Sequence, residues 1–150
     1  MSSTESVTGY EVCTDPARLD LVAMHAYLTR AYWSPGIPFA TVERAARHSL
    51  CFGLYEQATG RQVGLTRVVT DHATFAYLCD VYVLEEHRGR GLGKLMMRTV
   101  MAHAALTGAR RAMLGTRDAH GLYRQFGFDA PPNNGVLMQI LRPDIYRAVG

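Results

Sequence analysis

The sequence lacks the features that mark several classes of protein. It has only three cysteines, an odd number that are widely spaced, which argues against a disulfide framework and against a zinc site. No run approaches the roughly 20 apolar residues that a membrane span needs, and the first residues show neither the charged nor the apolar part of a secretory signal. We therefore predict a cytoplasmic protein with reduced thiols and no membrane partner.

A strong charge of either sign is also missing. The net charge is only +3 and the charged residues are interspersed, so the sequence does not favour a nucleic-acid-binding surface. The six histidines show no metal-binding spacing such as H-E-x-x-H, and we predict no metal site. The length suits one domain, which we expect to span residues 1–150 with a flexible segment at residues 1–7.

What the sequence contains is a regular succession of strand and helix signals. Residues 8–14 have the composition of a short strand, and a helix is predicted after them with Asp15 as its N-cap and Pro16 at its first position. A loop rich in aromatic residues, proline and glycine leads to a second helix at residues 41–49. Three β-branched and aromatic runs then predict an antiparallel three-strand meander.

The second half of the chain alternates between the two kinds of element. Apolar residues at helical spacing predict a long helix from Leu92 to Gly108, which a strand at "RRAMLGT" follows. A short helix ending at Gly127 and a last strand at "GVLMQILR" complete the chain. The order β-α-α-β-β-β-α-β-α-β predicts an α+β, or mixed α/β, domain in which helices flank a central sheet.

The segment "HRGRGLGKLMM", which begins at His87, concentrates positive charge where a helix starts. A helix N-terminus already carries a partial positive charge and unpaired backbone N–H groups, so Arg88, Arg90 and Lys94 need a negative partner there. The glycines that alternate with these residues let backbone amides approach a ligand closely. The combination predicts a phosphate or pyrophosphate site.

Spacing excludes two well-known phosphate loops. A Walker A loop needs glycine five residues before the Gly-Lys pair and Ser or Thr after it, where this chain has Arg88 and Leu95. The dinucleotide fingerprint needs G-x-G-x-x-G, whereas the glycines here are spaced G-x-G-x-G. What remains is the pattern R-x-x-G-x-G, formed by Arg88, Gly91 and Gly93 between a strand and a helix.

This R-x-x-G-x-G loop resembles the acetyl-CoA pyrophosphate loop of the GNAT superfamily of N-acetyltransferases. A second motif, "GLYRQFGF", is similar to that family's "lYeklGF" signature, and both motifs occur in the family's order of elements. The resemblance implies a GNAT-type central sheet, mixed but mostly antiparallel, with acetyl-CoA as the acetyl donor. The alternative is a glycine-rich turn with solvated arginines before an ordinary helix.

In the family, backbone groups of the fourth strand and of the loop bind the pantetheine arm and the pyrophosphate of CoA. Arg90 and Lys94 would add positive charge near the phosphates. At position 116 the chain has Thr where the family often has Asn, which retains one hydrogen-bonding group. The positions that match the family's CoA site are Val81, Tyr82, Val83, Arg88, Gly89, Arg90, Gly91, Leu92, Gly93, Lys94 and Thr116.

The resemblance also implies residues for the chemistry. Tyr123 matches the family tyrosine that can protonate the departing CoA thiolate, since a phenol keeps its proton at neutral pH; the alternative is an aromatic that packs a helix onto the sheet. Asp80 interrupts the apolar strand "FAYLCDVYV", where an unpaired charge would be costly. We predict that Asp80 is the general base or the anchor of the acceptor ammonium, with an internal salt bridge as the alternative.

Further residues are predicted to face the acceptor. A simple hairpin around Asp71 would place Arg67 about four residues from Asp80 along the paired strand, leaving Arg67 free to bind an acidic group of the acceptor. Tyr32 and Trp33 lie in the segment that walls the acceptor site in the family, so they either contact the acceptor or cover the core. Asp118 is predicted to cap the helix that contains the "GLYRQFGF" tyrosine.

The function that the resemblance implies is transfer of an acetyl group from acetyl-CoA to a primary amine, by direct attack through a tetrahedral intermediate. A small-molecule acceptor is preferred because no appended recognition domain is evident. A peptide or protein N-acetyltransferase and a non-catalytic acetyl-CoA-binding sensor are the alternatives. The oligomeric state stays open, with a homodimer as one outcome.

Overall fold

The computed structural model describes residues 5–132 and 134–147, in which six strands form one sheet. The sheet order follows the chain, and all neighbours pair antiparallel except the last two strands, which run parallel. This mixed, mostly antiparallel sheet confirms the predicted fold class. The strands are β1 Glu5–Val7, β2 Tyr10–Cys13, β3 Leu50–Glu56, β4 Gln62–Thr70, β5 Phe75–Val83 and β6 Arg111–Leu114.

Helices lie on both faces of the sheet. Short 3₁₀ turns at Pro16–Arg18, Glu85–His87 and Asn134–Val136 connect the regular elements. None of the helices in the described ranges is long and apolar enough to cross a membrane. The α-helices are α1 Leu21–Leu28, α2 Phe39–Arg47, α3 Leu92–Ala102, α4 Ala104–Thr107 and α5 His120–Arg124.

The sheet separates two hydrophobic cores. One face packs against α3 and α4 and buries side chains such as Phe52 and Leu95. The other face packs against α1 and α2 and buries Met24 and Leu65. Because full burial of one such side chain contributes about 1.5–3 kcal/mol, the two layers together hold the sheet in place.

Strand β5 contains a β-bulge that changes which of its residues face each core. Val68 of β4 pairs with Leu78, whereas the preceding Arg67 pairs with Asp80, so Cys79 is the extra residue of β5. A one-residue shift reverses the face to which later side chains point. Leu78 therefore lies in the α3 core, while Asp80 faces the side of α1 and α2.

The N-terminal boundaries differ from the predicted ones. Glu5–Val7 form a strand paired with β2, although the sequence predicts flexibility over residues 1–7; residues 1–4 lie outside the described residues. The carboxylate of Asp15 accepts the N–H of Ala17 and caps only a 3₁₀ turn. Helix α1 begins after a second cap, Asp20, so the predicted start of this helix is too early.

The predicted helix from Leu92 to Gly108 is interrupted at His103. This residue has extended backbone, with φ −70° and ψ 144°, and its Nδ1 accepts the N–H of Ala105 at 3.0 Å. The histidine thus acts as an N-cap that starts α4 as a separate helix. Gly108 lies at the end of α4, where the sequence places the end of the helical segment.

The last predicted strand, "GVLMQILR", is wrong for the described chain. Residues 137–142 have no regular structure, and Met138 and Ile140 are 95% and 82% exposed. The chain leaves the sheet instead, and Tyr146 packs on the α1–α2 core beside Gly36. Strand β6 is therefore an edge strand.

Candidate active site

A cleft of about 1290 Å³ opens where β5 and β6 part. These parallel strands pair from Phe75 with Arg111 to Leu78 with Leu114, after which β5 continues to Val83 and β6 ends. The end of β5, the start of α3, the segment before α5 and the loop between α1 and α2 form the walls. A cleft of this size is large enough for a small-molecule ligand or cofactor.

Backbone N–H groups at the start of α3 lie on this cleft without internal partners. Gly91 is the N-cap at φ +75°, and the described residues offer no acceptor for the N–H groups of Leu92, Gly93 or Lys94. Gly89 also has a positive φ, +80°. Because L side chains are strained at such φ values, the loop needs glycine at both positions. A helix start of this kind favours an anion.

Two basic side chains add positive charge to the cleft. Nε of Arg88 donates to the carbonyl of Val83 at 3.0 Å, and a terminal nitrogen donates to the hydroxyl of Tyr27 at 3.1 Å. Lys94 is exposed and makes no ion pair with any described residue. The predicted CoA-site residues that line the cleft are Val81, Tyr82, Val83, Arg88, Gly89, Gly91, Leu92, Gly93, Lys94 and Thr116.

Arg90 is the exception, because its guanidinium binds on the other side of the loop. It donates to the hydroxyl of Tyr10 at 2.9 Å. Since that hydroxyl accepts from Arg90, its own proton is available to Nδ1 of the buried His87, 2.8 Å away. In this structure Arg90 therefore ties the loop to β2 and does not line the cleft, and its contact with the phosphates stays a prediction.

Tyr123 lies in α5 on the wall of the cleft and is only 8% exposed. Its ring meets that of Phe128 edge to face, with centroids 6.0 Å apart. Burial raises the pKa of the Tyr123 phenol above its usual value, and the neighbouring Tyr32 and Asp118 raise it further. The phenol therefore keeps its proton at neutral pH, and the placement suits both an acid and a packing role.

Asp80 is engaged on both carboxylate oxygens. Oδ2 accepts from Nε of Arg67 at 2.6 Å, and Oδ1 accepts from the indole N–H of Trp33 at 2.7 Å. Arg67 also donates to the hydroxyl of Ser49 at 3.0 Å. Burial would lower the pKa of the Arg67 guanidinium, but the Asp80 charge holds this pKa above its usual value. The internal salt bridge that the sequence leaves as an alternative is thus present.

The predicted separation of Arg67 from Asp80 is wrong for two geometric reasons. The Asp71 carboxylate accepts N–H bonds from the residues two, three and four positions after it, which makes the turn wider than a two-residue hairpin. The bulge at Cys79 then adds one residue to β5. Together these features bring Asp80 opposite Arg67, so Arg67 is not free to bind an acceptor.

Aromatic side chains form the cleft wall nearest α1 and α2. The rings of Tyr32 and Trp33 meet edge to face with centroids 5.0 Å apart, and the guanidinium of Arg117 lies 3.8 Å above the Tyr32 ring. Tyr32 and Trp33 both line the cleft, as does Tyr77, which sequence reasoning missed. The alternation along β5, where Tyr77 is exposed and Ala76 buried, is the signal that could have identified it.

Asp118 does not cap α5 as predicted. The N-cap is Ala119 without a side-chain bond, and the hydroxyl of Thr116 accepts the Ala119 N–H at 3.0 Å. Asp118 lies exposed on the cleft and forms no ion pair in the described part of the chain. The sequence is ambiguous here because Thr116 and Asp118 are both typical cap residues within one turn.

Cys51 and Cys79 are not activated nucleophiles. All three cysteines of the chain are free thiols. Burial raises the pKa of Cys51 to about 11 and also raises the pKa of Cys79. Because the thiolate is the reactive form, these side chains stay inert at neutral pH. Within the described ranges no group of three His, Cys, Asp or Glu residues could hold a metal ion.

Sequence comparisons match most of the chain to known proteins. The family model described as "Acetyltransferase (GNAT) family" matches residues 19–128, a range that includes both the glycine-rich loop and Tyr123. A protein of Gibberella zeae, provisionally named an acetyltransferase, is 38% identical in an alignment that covers 76% of this chain and 75% of that protein.

Solved structures match the chain as well. A protein of Xanthomonas campestris pv. campestris, provisionally named an acetyltransferase of the GNAT family, superimposes with a TM-score of 0.87 at 49% identity. The match covers 91% of this chain and 96% of that one. Glucosamine-6-phosphate N-acetyltransferase from Arabidopsis thaliana superimposes with a TM-score of 0.63 at 14% identity, covering 89% and 97% of the two chains. The second likeness is one of fold.

Proposed function

The chain belongs to the GNAT family of acetyltransferases, and on that basis we propose that it transfers the acetyl group of acetyl-CoA to a primary amine of a small molecule. Acyltransferase activity follows from the family, whereas the donor-binding residues and the acceptor class are the proposal. The observation that carries it is one cleft that holds both the unpaired N–H groups of α3 and the buried Tyr123 phenol.

The donor-binding part of the proposal is built on α3 and β5. The N–H groups at the start of α3 and the ammonium group of Lys94 favour a diphosphate. Beyond Leu78, the edge of β5 that β6 leaves uncovered offers peptide groups to an extended chain such as a pantetheine arm. The hydroxyl of Thr116 accepts the Ala119 N–H, so its own proton stays available to a ligand.

Tyr123 supplies the proton in this proposal. Aminolysis of a thioester releases a thiolate, whose conjugate thiol has a pKa near 8.5, and a phenol with a pKa above about 10 holds its proton until that thiolate forms. Burial keeps Tyr123 as the neutral phenol, which is the form that can donate a hydrogen bond or a proton to the developing thiolate. Tyr123 lines the cleft, where it can contact a bound ligand.

The part that Asp80 plays is separate from that of Tyr123. Because Arg67 and Trp33 occupy its two oxygens, we propose that Asp80 positions Trp33 in the cleft wall. Its action as a general base or as an ammonium anchor stays a prediction. A change in the pH dependence of kcat in Asp80→Asn would support such an action, whereas an unchanged pH profile would leave only the positioning role.

The alternatives differ in what the cleft should look like. A peptide or protein acceptor needs an open groove, whereas the rings of Tyr32, Trp33 and Tyr77 line the cleft on this side and favour a small acceptor. A sensor that only binds acetyl-CoA needs no proton donor, so the buried Tyr123 phenol on the cleft wall supports an enzyme.

Release of the CoA thiol from acetyl-CoA tests the proposal. The purified protein would be assayed with simple amines, amino acids, polyamines, aminoglycosides and short peptides, against a blank without acceptor. We expect release that depends on a small-molecule acceptor. Release that occurs only with peptides would show that the acceptor is a peptide or protein and not a small molecule. Tight acetyl-CoA binding without any release of the thiol would favour the non-catalytic sensor.

A further inference from the structure

We propose that Arg117 and Asp118 form the recognition site for the acceptor, and that this acceptor carries an anionic group, a carboxylate or phosphate, in addition to its primary amine. The inference rests on the proposed function and names the substrate class of the same cleft. Asp118 would bind the ammonium form of the amine, which predominates at pH 7 and releases a proton to solvent before the free amine attacks, and Arg117 would bind the anionic group.

The two residues lie beside the proposed acid. They follow β6, after Gly115 and Thr116, and both line the cleft together with Tyr123. The Asp118 carboxylate is close enough to the Tyr123 phenol for its charge to add to the effect of burial in raising the pKa of that phenol. An amine bound at Asp118 would therefore lie near the group that protonates the leaving thiolate.

The other charges on the cleft wall are already assigned or neutralised. Arg30 donates two hydrogen bonds to the Glu85 carboxylate at 2.8 and 3.0 Å, so these charges compensate each other. Arg88 is bound to the end of β5, and Lys94 lies at the start of α3, where the donor phosphates are proposed. The charged residues of the cleft are Arg30, Glu85, Arg88, Lys94, Arg117 and Asp118.

Arg117 and Asp118 remain available for a ligand. Neither forms an ion pair with the other or with any residue in the part of the chain that the structure describes. The guanidinium of Arg117 stacks 3.8 Å above the Tyr32 ring, which orients it while leaving the N–H donors at its edge for an anion. Asp118 is thus the one cleft carboxylate without an ion-pair partner in the described residues.

The neighbouring opposite charges discriminate between classes of amine. One ammonium group of a diamine or polyamine would pair with the Asp118 carboxylate, but its second ammonium group would be repelled by the adjacent Arg117. A monoamine that lacks an anionic group would leave Arg117 without a counter-charge. An acceptor that carries both charges satisfies both residues, and this complementarity gives specificity.

Steady-state kinetics on matched acceptors test the inference. Each carboxylate-bearing amine, such as an amino acid, would be compared with its amide, which keeps the amine but lacks the negative charge, and with a diamine of similar length. We expect kcat/KM for the zwitterion to exceed that for its amide by about tenfold or more, which corresponds to one charge-assisted contact. Equal or better turnover of the amide or the diamine would overturn the inference.

Variants separate recognition from a structural effect. Arg117→Gln should raise KM for the zwitterion and abolish its advantage over the amide, whereas Arg117→Glu should shift the preference to the diamine. Asp118→Asn should raise KM for every amine, with KM for acetyl-CoA unchanged. Arg98→Gln, an exposed change on α3 that does not line the cleft, is the control.

The outcomes distinguish this inference from the proposed function. The enzyme could turn over amines that lack an anionic group at rates that do not change when Arg117 is replaced. That result would support the acetyltransferase and contradict the proposed recognition site. An unchanged preference in Arg117→Glu would do the same. Failure of every acceptor class, together with tight acetyl-CoA binding, would overturn both.

Discussion

Trp33 connects the loop between α1 and α2 to the middle of the sheet. Its indole N–H donates to Asp80, and Asp80 also accepts from Arg67. One buried carboxylate therefore orients both an aromatic wall of the cleft and a guanidinium beneath it. A substitution at Trp33, Asp80 or Arg67 is therefore expected to alter the cleft wall even if the substituted side chain does not contact a ligand.

Replacing Asp80 by Asn should lower the free energy of unfolding by about 3–5 kcal/mol, because it leaves the largely buried Arg67 guanidinium without its counter-charge. Urea unfolding would be followed by the fluorescence of Trp33, the one tryptophan of the chain. Asp118→Asn, at an exposed carboxylate without an ion-pair partner in the described residues, is the control and should change stability little. A loss below about 1 kcal/mol in Asp80→Asn would show that water reaches the pair and solvates it.

Replacing Tyr123 by Phe should lower kcat by about 100-fold or more, because it removes the proposed proton donor and keeps the ring. Since burial raises the pKa of the phenol, its protonated form persists to a higher pH than that of an exposed tyrosine, so the wild-type rate should not fall through loss of this proton in the neutral range. The pH profile of kcat/KM checks both statements.

The matched control for this substitution is Tyr55→Phe. The Tyr55 hydroxyl is buried without a hydrogen-bond partner among the described residues and does not line the cleft. Acetyl transfer by this variant should equal that of the wild type. A Tyr123→Phe variant that is as active as the control would remove the acid assignment.

Among the elements, β5 and α3 show how far sequence reasoning reaches. The start of α3 could be predicted because its glycines, charges and apolar spacing all lie within one short segment. The pairing of Asp80 with Arg67 could not be predicted, because it depends on the wide turn at Asp71 and on the bulge at Cys79. No local sequence pattern indicates either feature. The strand at residues 135–142 failed for a related reason, since apolar alternation shows strand tendency but not whether a partner edge is available.

Substituting Gly91 by Ala should weaken acetyl-CoA binding severalfold and reduce stability, because an L residue at φ +75° costs about 1–2 kcal/mol. Gly121→Ala is the matched control, since this helical glycine lacks a positive φ and has open space around its Cβ direction. There the alanine should stabilise α5 by about 0.5–1 kcal/mol. Titration of acetyl-CoA and thermal unfolding measure the two effects, and equal behaviour of the variants would contradict the strained-loop argument.

At the scale of the whole molecule, an uncovered sheet edge lies beside an uncovered apolar segment. Val136, Met138 and Ile140 are 70%, 95% and 82% exposed, and β6 has no strand on its outer side in the described chain. Soluble monomers rarely expose contiguous apolar patches larger than a few hundred Å². Each copy offers both a free edge and a strand-like segment, so a twofold exchange would cover both at once.

We therefore expect a homodimer in solution, measured by light scattering on a size-exclusion column. Met138→Glu combined with Ile140→Glu should yield a monomer, because the charges would have to be desolvated at the interface. Val22→Glu, at a 71% exposed position on α1, is the control and should remain dimeric. A wild-type monomer at about 100 µM, well above the Kd of a stable dimer, would contradict the prediction.

The bulge in β5 makes the number of residues in this strand more important than their identity. The Cys79 thiol donates a weak hydrogen bond to the carbonyl of Tyr77 at 3.7 Å, so Ser or Ala there should preserve the strand. Deleting this residue would turn Asp80 toward the α3 core and separate it from Arg67. Among related sequences, the residue at position 79 should therefore vary, whereas insertions and deletions between Leu78 and Asp80 should be rare.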